Sequence, residues 1–588
     1  MGRHSYYTER ITALNNSLKK AQKTYQLYSF LRLVFFLLSI SSIFIFWNSS
    51  FMILGLILTF ALFLVAVSLS VDAKYQRDKL LILIEINKNE IDASRGDWSM
   101  FDEGNEYKDS KHAFSYDLDI FGPKSVFQLI NRTVSIEGKN KLASVLNNGC
   151  STISLNNKAI TELSKNIKWC QEFMSEGVVL KKEKGYPKSL ENLKNFQIIL
   201  PKGLNIFRIL LPIFAISSTF LYSYGVINGF IFSFIFSLIM LPLMLFLKNT
   251  NTMTLRVSDQ SSRVRIILKQ LELFKNLEIN DPEFKAKQQA FFESNESVLV
   301  SIQQFEKLIK RFEFRLNLLV GVVLNFFLSW DFQMIYQLNN WLKENKDKLV
   351  GWEESIAEIE VWISGAIFKF NHKESNFAIF NEENEINIEG ISHPFIDPKK
   401  KIRNNVTIKN DQNFLIITGP NMAGKSTYLR SLGLAFIFAN AGFPILADSC
   451  SIPRLKLYTS MRTSDDLTTE SSYFHAELVR LRFIVDAIES GEKVFIILDE
   501  ILKGTNSKDK EIGSTKFLQK LVNLNAKGVI ATHDLSLCKL SEDSNNFKNM
   551  YFDSTIENDE LFFSYQINEG ICQNMNASFL LSKMKLVD

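Results

Sequence analysis

The sequence predicts a multidomain chain: four transmembrane α-helices paired as two hairpins, an α-helical core and lever region, and a C-terminal α/β domain of the P-loop type. Three observations carry this. Two pairs of uncharged apolar runs lie in the N-terminal half, a Gly-x-x-x-x-Gly-Lys-Ser loop stands between a strand-like and a helix-like segment, and a later apolar run ends in adjacent carboxylates. A chain of 588 residues has room for roughly three or four domains and a large core. The formal charge of +4 neither demands nor excludes a nucleic-acid partner. Five cysteines (Cys150, Cys170, Cys450, Cys538, Cys572) stand far apart with no CxxC pair, which points to reduced, mostly buried thiols and not to a disulfide framework or a zinc site.

The first hairpin comes from Leu33 to Trp47 and, after "NSS", from Phe51 to Val71, near the length a bilayer requires. The second comes from Ile209 to Leu221, the turn "YSYG", and Val226 to Leu247, with Pro212 and Pro242 toward the outer parts of their runs. Arg10, Lys19, Lys20 and Lys23 precede the first run, Lys74, Arg77 and Lys79 follow the second, and Lys248, Arg256, Arg263 and Arg265 follow the fourth, whereas both connectors are uncharged. The positive-inside bias then puts all soluble mass on the cytoplasmic side of a bacterial inner membrane. The alternatives are helices buried in the core of a soluble protein or, for the first run, a signal peptide. The latter fits worse because a second apolar run follows at once with no small-x-small cleavage pattern.

"FLIIT" (residues 414–418), "GPNMAGKS" (419–426) and "TYLRSLGLAFIFA" (427–439) read as strand, loop and helix, the context a phosphate loop needs. Gly419 and Gly424 let the loop fold, with Pro420 as part of it, so that backbone N–H groups of Asn421, Met422, Ala423 and Thr427 turn toward phosphate oxygens. Lys425 supplies a cation for the β- and γ-phosphates, and the Ser426 hydroxyl suits Mg²⁺. "KVFIILDE" (493–500) ends in two acids: Asp499 is assigned to the metal and Glu500 to the attacking water. "GVIATHD" (528–534) carries His533 at a strand's carboxyl end, where open parallel sheets place ligands, in the role of γ-phosphate sensor. ATP and Mg²⁺ are the cofactors expected.

With these residues in place, residues 393–580 resemble the ATPase domain of the MutS DNA mismatch-repair family, an ABC-type ATPase. "TGPNMAGKSTYLR" is close to that family's phosphate loop, and "SHPFI", "TSDDLTTESSYFHAEL" (463–478), "LDEILKGTNS" (498–507) and "ATHDLSL" (531–537) follow its order. The resemblance implies that the segment around Ser472 is the ABC-like signature capping the γ-phosphate of an opposing subunit, hence a homodimer with composite ATP sites. Upstream, "DIFGPKSVFQLINRTVSIEGKNKLASVLNNG" (119–149) is similar to the start of the MutS core domain, and "WEESIAEIEVWISGAIFKFN" (352–371) to the helix leading back from its levers. Between them, Leu255 to Lys346 reads as long helices. On this reading residues 1–29 form a cytoplasmic N-terminal helix, 30–71 the first hairpin, 72–204 a MutS-like core segment, 205–247 the second hairpin, 248–390 a helical core and lever segment, and 391–588 the ABC ATPase domain.

The departures bear on function. Membrane helices stand where the family has its mismatch reader, which wedges a Phe from a Phe-x-Glu motif beside the mispair. The three Phe-x-Glu matches here (at Phe101, Phe291 and Phe380) are read as chance in a chain with 50 Phe. Within the ATPase, Glu470, Ser471, Tyr473, Arg462 and Leu502 depart from the family's usual residues, the last two replacing glycines. The function expected is a membrane-anchored, dimeric MutS-like ATPase gripping double-stranded or branched DNA. The alternative is an ABC-type transporter, membrane-remodelling or signalling ATPase without DNA.

Overall fold

The computed structural model describes residues 3–45, 52–184, 198, 200–293, 298–315, 318–397, 399–462, 473–557 and 560–573. They divide into two compact units. One comprises residues up to 88, 133–141 and 166–361; the other comprises 89–132, 142–165 and those from 362 onward.

The first unit is helical. Four of its helices are long and apolar enough to cross a membrane, and only 6 to 17 % of their most apolar windows is buried within the chain. That argues against the buried-core alternative, since a core helix covers its apolar side chains with protein. Hairpin one is a pair of helices, Arg3–Ile45 and Met52–Ser94. The expected boundaries at residues 29 and 71 are not breaks: composition changes from apolar to charged there, but no proline interrupts the backbone ladder. Phe36 and Phe63 rings lie 5.8 Å apart along the apolar part, and Leu14, Leu83 and Ile84 form a small core further down. Hairpin two is Leu204–Ser223 and Gly229–Asp259, the latter capped by Asn228 Oδ1, which accepts from Ile231 N at 2.9 Å.

Long helices between Leu255 and Lys346 are not what forms. The tail of Gly229–Asp259 is followed by Ser261–Lys275, Pro282–Glu293, Val298–Phe314, Leu318–Leu328 and Trp330–Asn345. Pro282 occupies a helix start, where its missing N–H costs nothing, and Ser329 turns left-handed (φ 46°) between the last two. Buried ion pairs tie this unit together. Arg263 bonds Glu353 at 3.0 Å and Glu137 at 2.9 Å.

The second unit holds ten strands: β1 (Ile379–Phe380), β2 (Ile386–Ile391), β3 (Asn404–Ile408), β4 (Phe414–Thr418), β5 (Ser449–Ile452), β6 (Lys456–Ser460), β7 (Val494–Asp499), β8 (Lys527–Ala531), β9 (Phe547–Glu557) and β10 (Glu560–Glu569). A four-stranded sheet runs β1-β5-β2-β3, and a six-stranded one β10-β9-β4-β8-β7-β6, parallel except for the edge strand β10. Every residue of β4 and β8 is buried, as a parallel sheet covered on both faces requires. Helices Tyr473–Glu489 and Ser507–Asn523 cover Phe414, Ile416, Ile496, Leu498 and Ile530 on one face. On the other, Phe436 of helix Lys425–Ala441 stacks on Phe495 with ring centroids 4.2 Å apart. The register pairs Ile417 with Ala531 and Asp499 with Ala531, so the chain leaves β4, β7 and β8 at one common edge.

The MutS-like stretch 119–149 begins in this unit with a short helix, Val126–Ile130, whose Gln128 N donates to Ser125 Oγ at 3.2 Å. Arg132 behind it is buried, paired with Glu90 and stacked 3.5 Å above the Phe101 ring. Phe101 is thus a packing residue. None of the five cysteines is in a disulfide, and all but Cys150 are buried.

Candidate functional site

The site is built where three strands end. After β4 the chain turns at Gly419 with φ 145°, and a Cβ there would lie 2.6 Å from the Phe552 carbonyl oxygen, so only glycine fits. Met422, also with positive φ (68°), points outward and is exposed, while Ala423 is buried beneath the loop. Gly424 (φ 106°) opens helix Lys425–Ala441, whose first N–H groups face the cavity described below. Lys425 Nζ donates to the carbonyls of Gly419 (2.7 Å) and Pro420 (2.8 Å). Burial lowers its pKa, and Asp499 and Glu500 counter that.

Ser426 Oγ donates to Asp499 Oδ2 at 2.9 Å. A hydroxyl and a carboxylate this close make a hard-oxygen corner suited to a small divalent cation that keeps its remaining positions for water and phosphate oxygens. Among the described residues no group of three or more His, Cys, Asp or Glu converges, so a cage made wholly of protein is not on offer. Glu500 follows with φ 51°, a left-handed turn at the strand end that swings its carboxylate toward His533. Oε1 lies 3.2 Å from His533 Nε2, and Oε2 lies 3.8 Å from Lys503 Nζ. Burial, helped by the Lys425 charge, holds the His533 pKa below its ordinary value, against the pull of Glu500 and Asp499. The imidazole is therefore neutral at pH 7, and the contact is an N–H donating to a carboxylate.

Of the residues expected at the nucleotide, Asn421, Met422, Gly424 through Thr427, Asp499, Glu500 and His533 line one cavity of about 560 Å³, while Gly419, Pro420 and Ala423 of the same loop are not in its wall. Ser472 is not among the residues brought together here: it lies, with all of 463–472, outside the described residues.

The other wall was not foreseen. Ile391, His393, Ile402, Asn404, Phe552 and Tyr565 line it. His393 belongs to the "SHPFI" run but carried no role of its own. Tyr565 sits at a bulge in β10 with φ 53°, its carbonyl accepting from Asn404 Nδ2 at 3.0 Å while Asn404 Oδ1 takes Ile567 N–H at 2.8 Å. A Cβ on Gly424 would be 3.3 Å from the Tyr565 ring, so the aromatic edge leans over the phosphate loop.

Two departures from the family pattern have structural readings. Leu502 adopts φ 58°, a conformation in which glycine is unstrained and leucine is not; its N–H and that of Lys503 donate to Glu477 at 2.5 and 3.1 Å, which holds the turn in place. Arg462 closes a network on the 119–149 stretch: its guanidinium bonds Asp119 at 2.6 and 2.7 Å, and its N–H donates to Asp117 at 3.1 Å. Asp119 also reaches Arg430, on the helix that follows the phosphate loop, at 3.3 Å.

Comparison with known proteins agrees with this geometry. Residues 415–584 match MutS domain V. The chain is 34 % identical over 194 residues to MutS protein homolog 4 of Homo sapiens, covering 31 % of this chain and 20 % of that protein. It is 27 % identical over 235 residues to DNA mismatch repair protein MutS of Thermotoga sp. (strain RQ2), covering 39 % and 29 % respectively. Against DNA mismatch repair protein MutS of Clostridioides difficile (strain 630) it is 30 % identical over 230 residues, covering 38 % and 24 %. The chain thus spans less than a third of the length of each of these relatives. Residues 415–584, with the phosphate loop, paired acids and strand-end histidine at one sheet edge, are thus similar to domain V of the MutS family.

Proposed function

We propose that this chain is a membrane-anchored, Mg²⁺-dependent ATPase that closes as a homodimer on DNA. The observation that carries the ATPase reading is the convergence of Lys425, the Ser426–Asp499 pair at 2.9 Å and the Glu500–His533 pair at 3.2 Å on one cavity at the carboxyl edge of a parallel sheet. In this reading the loop from Gly419 to Thr427 cradles the phosphates, and Lys425 leaves its loop carbonyls for the β- and γ-phosphate oxygens. Ser426 and Asp499 would hold Mg²⁺, which would supply charge neutralisation on the transferring phosphoryl group. Glu500 orients the attacking water, and a neutral His533 donates to Glu500 or to the γ-phosphate. The apolar and aromatic wall with Tyr565 and Phe552 suits the face of a nucleobase. Ser472 of a second copy completes the site, as the family resemblance implies.

Four largely uncovered apolar helices, with basic residues on one side, support anchoring in a bacterial inner membrane with the soluble parts of the chain cytoplasmic. The names of the relatives, DNA mismatch repair proteins among them, support a DNA client. The test is steady-state ATPase activity in nanodiscs against no DNA, homoduplex, a single mismatch and a four-way junction at low salt, with Lys425→Ala and Glu500→Gln as blanks. Activity lost in both variants and altered by any DNA is the expected result. Full activity in Lys425→Ala defeats the ATPase reading, and a rate indifferent to every DNA replaces the nucleic-acid client with a membrane one.

A further inference from the structure

We propose that helix Leu318–Leu328 is a re-entrant membrane element, dipping into the acyl-chain layer beside the second hairpin and returning to the same side. The inference rests on the membrane reading of that hairpin given above. The helix, "LLVGVVLNFFL", is uncharged and 11 residues long. At 1.5 Å per residue it reaches about 16 Å, half of the ~30 Å that spanning requires.

Its packing places it against the apolar stretch of the hairpin. Phe326 is buried with Ala215 and Ile239, and its ring lies 4.9 Å from that of Phe236 and 6.1 Å from that of Phe232. Its other side is uncovered: Val322, Val323 and Leu328 are exposed, as are Phe214 and Phe234 on the two hairpin helices it packs against. Aliphatic side chains left bare next to equally bare membrane helices match the chemistry of lipid tails.

Both ends of the segment return to one polar clamp. Arg315, which precedes the helix, forms a two-pronged pair with Asp331, which follows it, at 2.9 Å in each prong. A third donor, Arg315 Nη1, reaches Asn251 Oδ1 (2.7 Å) and Thr254 Oγ1 (3.1 Å) on the hairpin helix, just beyond Lys248 where the apolar run has ended. The chain therefore departs from and comes back to a single level, that of the hairpin's polar end. Gly321 permits the tight start, since a Cβ there would lie 2.9 Å from the Arg315 carbonyl oxygen. Left-handed Ser329 makes the reversal.

The one polar side chain inside, Asn325, accepts from Asp331 N at 2.9 Å, so no bare amide oxygen is carried into the hydrocarbon. Trp330 Nε1 donates to the Arg311 carbonyl at 3.1 Å, in the clamp region, a position that suits an indole at a membrane boundary.

The test uses single cysteines carrying an environment-sensitive fluorophore in a Cys150→Ser background, with the full chain in vesicles whose lipids are brominated along the acyl chains. The sites are Val323→Cys on the helix, Phe214→Cys on the hairpin and Glu354→Cys as a position away from the apolar segments; Val322→Cys repeats the measurement should Val323→Cys misfold. Bromine quenching at 323 (or 322) comparable to that at 214, with none at 354, is the expected result. Quenching at 214 but at neither 322 nor 323 overturns the inference and leaves the membrane reading standing. Quenching at none of them overturns both.

Discussion

His393 makes the stability of the second unit depend on pH in a way that can be worked out beforehand. Only 7 % of the residue is exposed, and its Nδ1 accepts the Phe395 N–H at 3.3 Å, which keeps the ring neutral. Burial, with the charges of Arg430 and Lys401 nearby, pushes its pKa down to about 4, while Asp119 pulls the other way. In the unfolded chain it titrates near 6.5. Because the folded value is the lower one, the unfolded state binds its proton first as pH falls. The stabilisation is fully present above about pH 6.5 and is lost toward about pH 4. Between about pH 7.5 and about pH 5 the loss from this one group is about 2 kcal/mol, approaching about 3 kcal/mol at the acid end.

The perturbation is His393→Asn, which removes the titrating ring. Urea unfolding of the detergent-solubilised chain, followed by tryptophan emission, reads the difference; Trp98, with its ring 5.2 Å from that of Phe395, reports on this corner. The native protein should exceed the variant in stability at about pH 7.5 and lose about 2 kcal/mol of that margin by about pH 5. A margin that stays constant over this range would refute the argument that His393 is held neutral by its surroundings.

Three further outcomes follow from the structure. Gly419→Ala forces a Cβ to 2.6 Å from the Phe552 carbonyl at φ 145°, so nucleotide affinity, read with a fluorescent ATP analogue, should fall more than about tenfold with folding retained. Glu500→Gln should lower turnover by about 10² or more while leaving nucleotide binding within a few-fold, whereas His533→Asn should lower turnover less; both are separated by comparing single-turnover rates with equilibrium binding. Arg132→Ala leaves Glu90 buried without its charge partner, though still accepting from Asn371 Nδ2 at 2.8 Å, and should cost about 3–5 kcal/mol in denaturant unfolding, with Arg132→Met plus Glu90→Leu recovering most of it.

What could be read from the sequence was the part whose chemistry is local. The phosphate loop needs glycines, a lysine and a hydroxyl at set spacing, and the acids must end a buried strand, so Lys425, Ser426, Asp499 and Glu500 declare themselves without a partner being known. Tyr565 does not. It comes to the cavity through a bulge in an edge strand 140 residues past the loop's Lys425, and no spacing rule marks a bulge. His393 lay in a motif, but its depressed pKa depends on Arg430 and Lys401, which only the fold brings near it. In the helical region Pro282 is the single proline and does start a helix, yet the reversal at Ser329 is left-handed without a glycine to mark it. Leu318–Leu328 was passed over because 11 apolar residues fall short of a span, although their packing on the hairpin is what gives them meaning.

The first hairpin has a mechanical side. Each of its helices is one uninterrupted rod of 43 residues, about 65 Å long, whereas the hydrocarbon layer is only ~30 Å thick. On the membrane reading proposed above, about 35 Å of stiff rod stands clear of the lipid, with no joint between the anchored part and the free part. A swing of about 10° in the anchored part carries the free end some 6 Å sideways, a displacement on the scale of one helical turn. Tilting is one way in which a helix longer than the local hydrocarbon layer accommodates the mismatch. On that reading such a rod converts a change of tilt in the membrane into a lateral displacement at its far end, without any chemical signal passing along it.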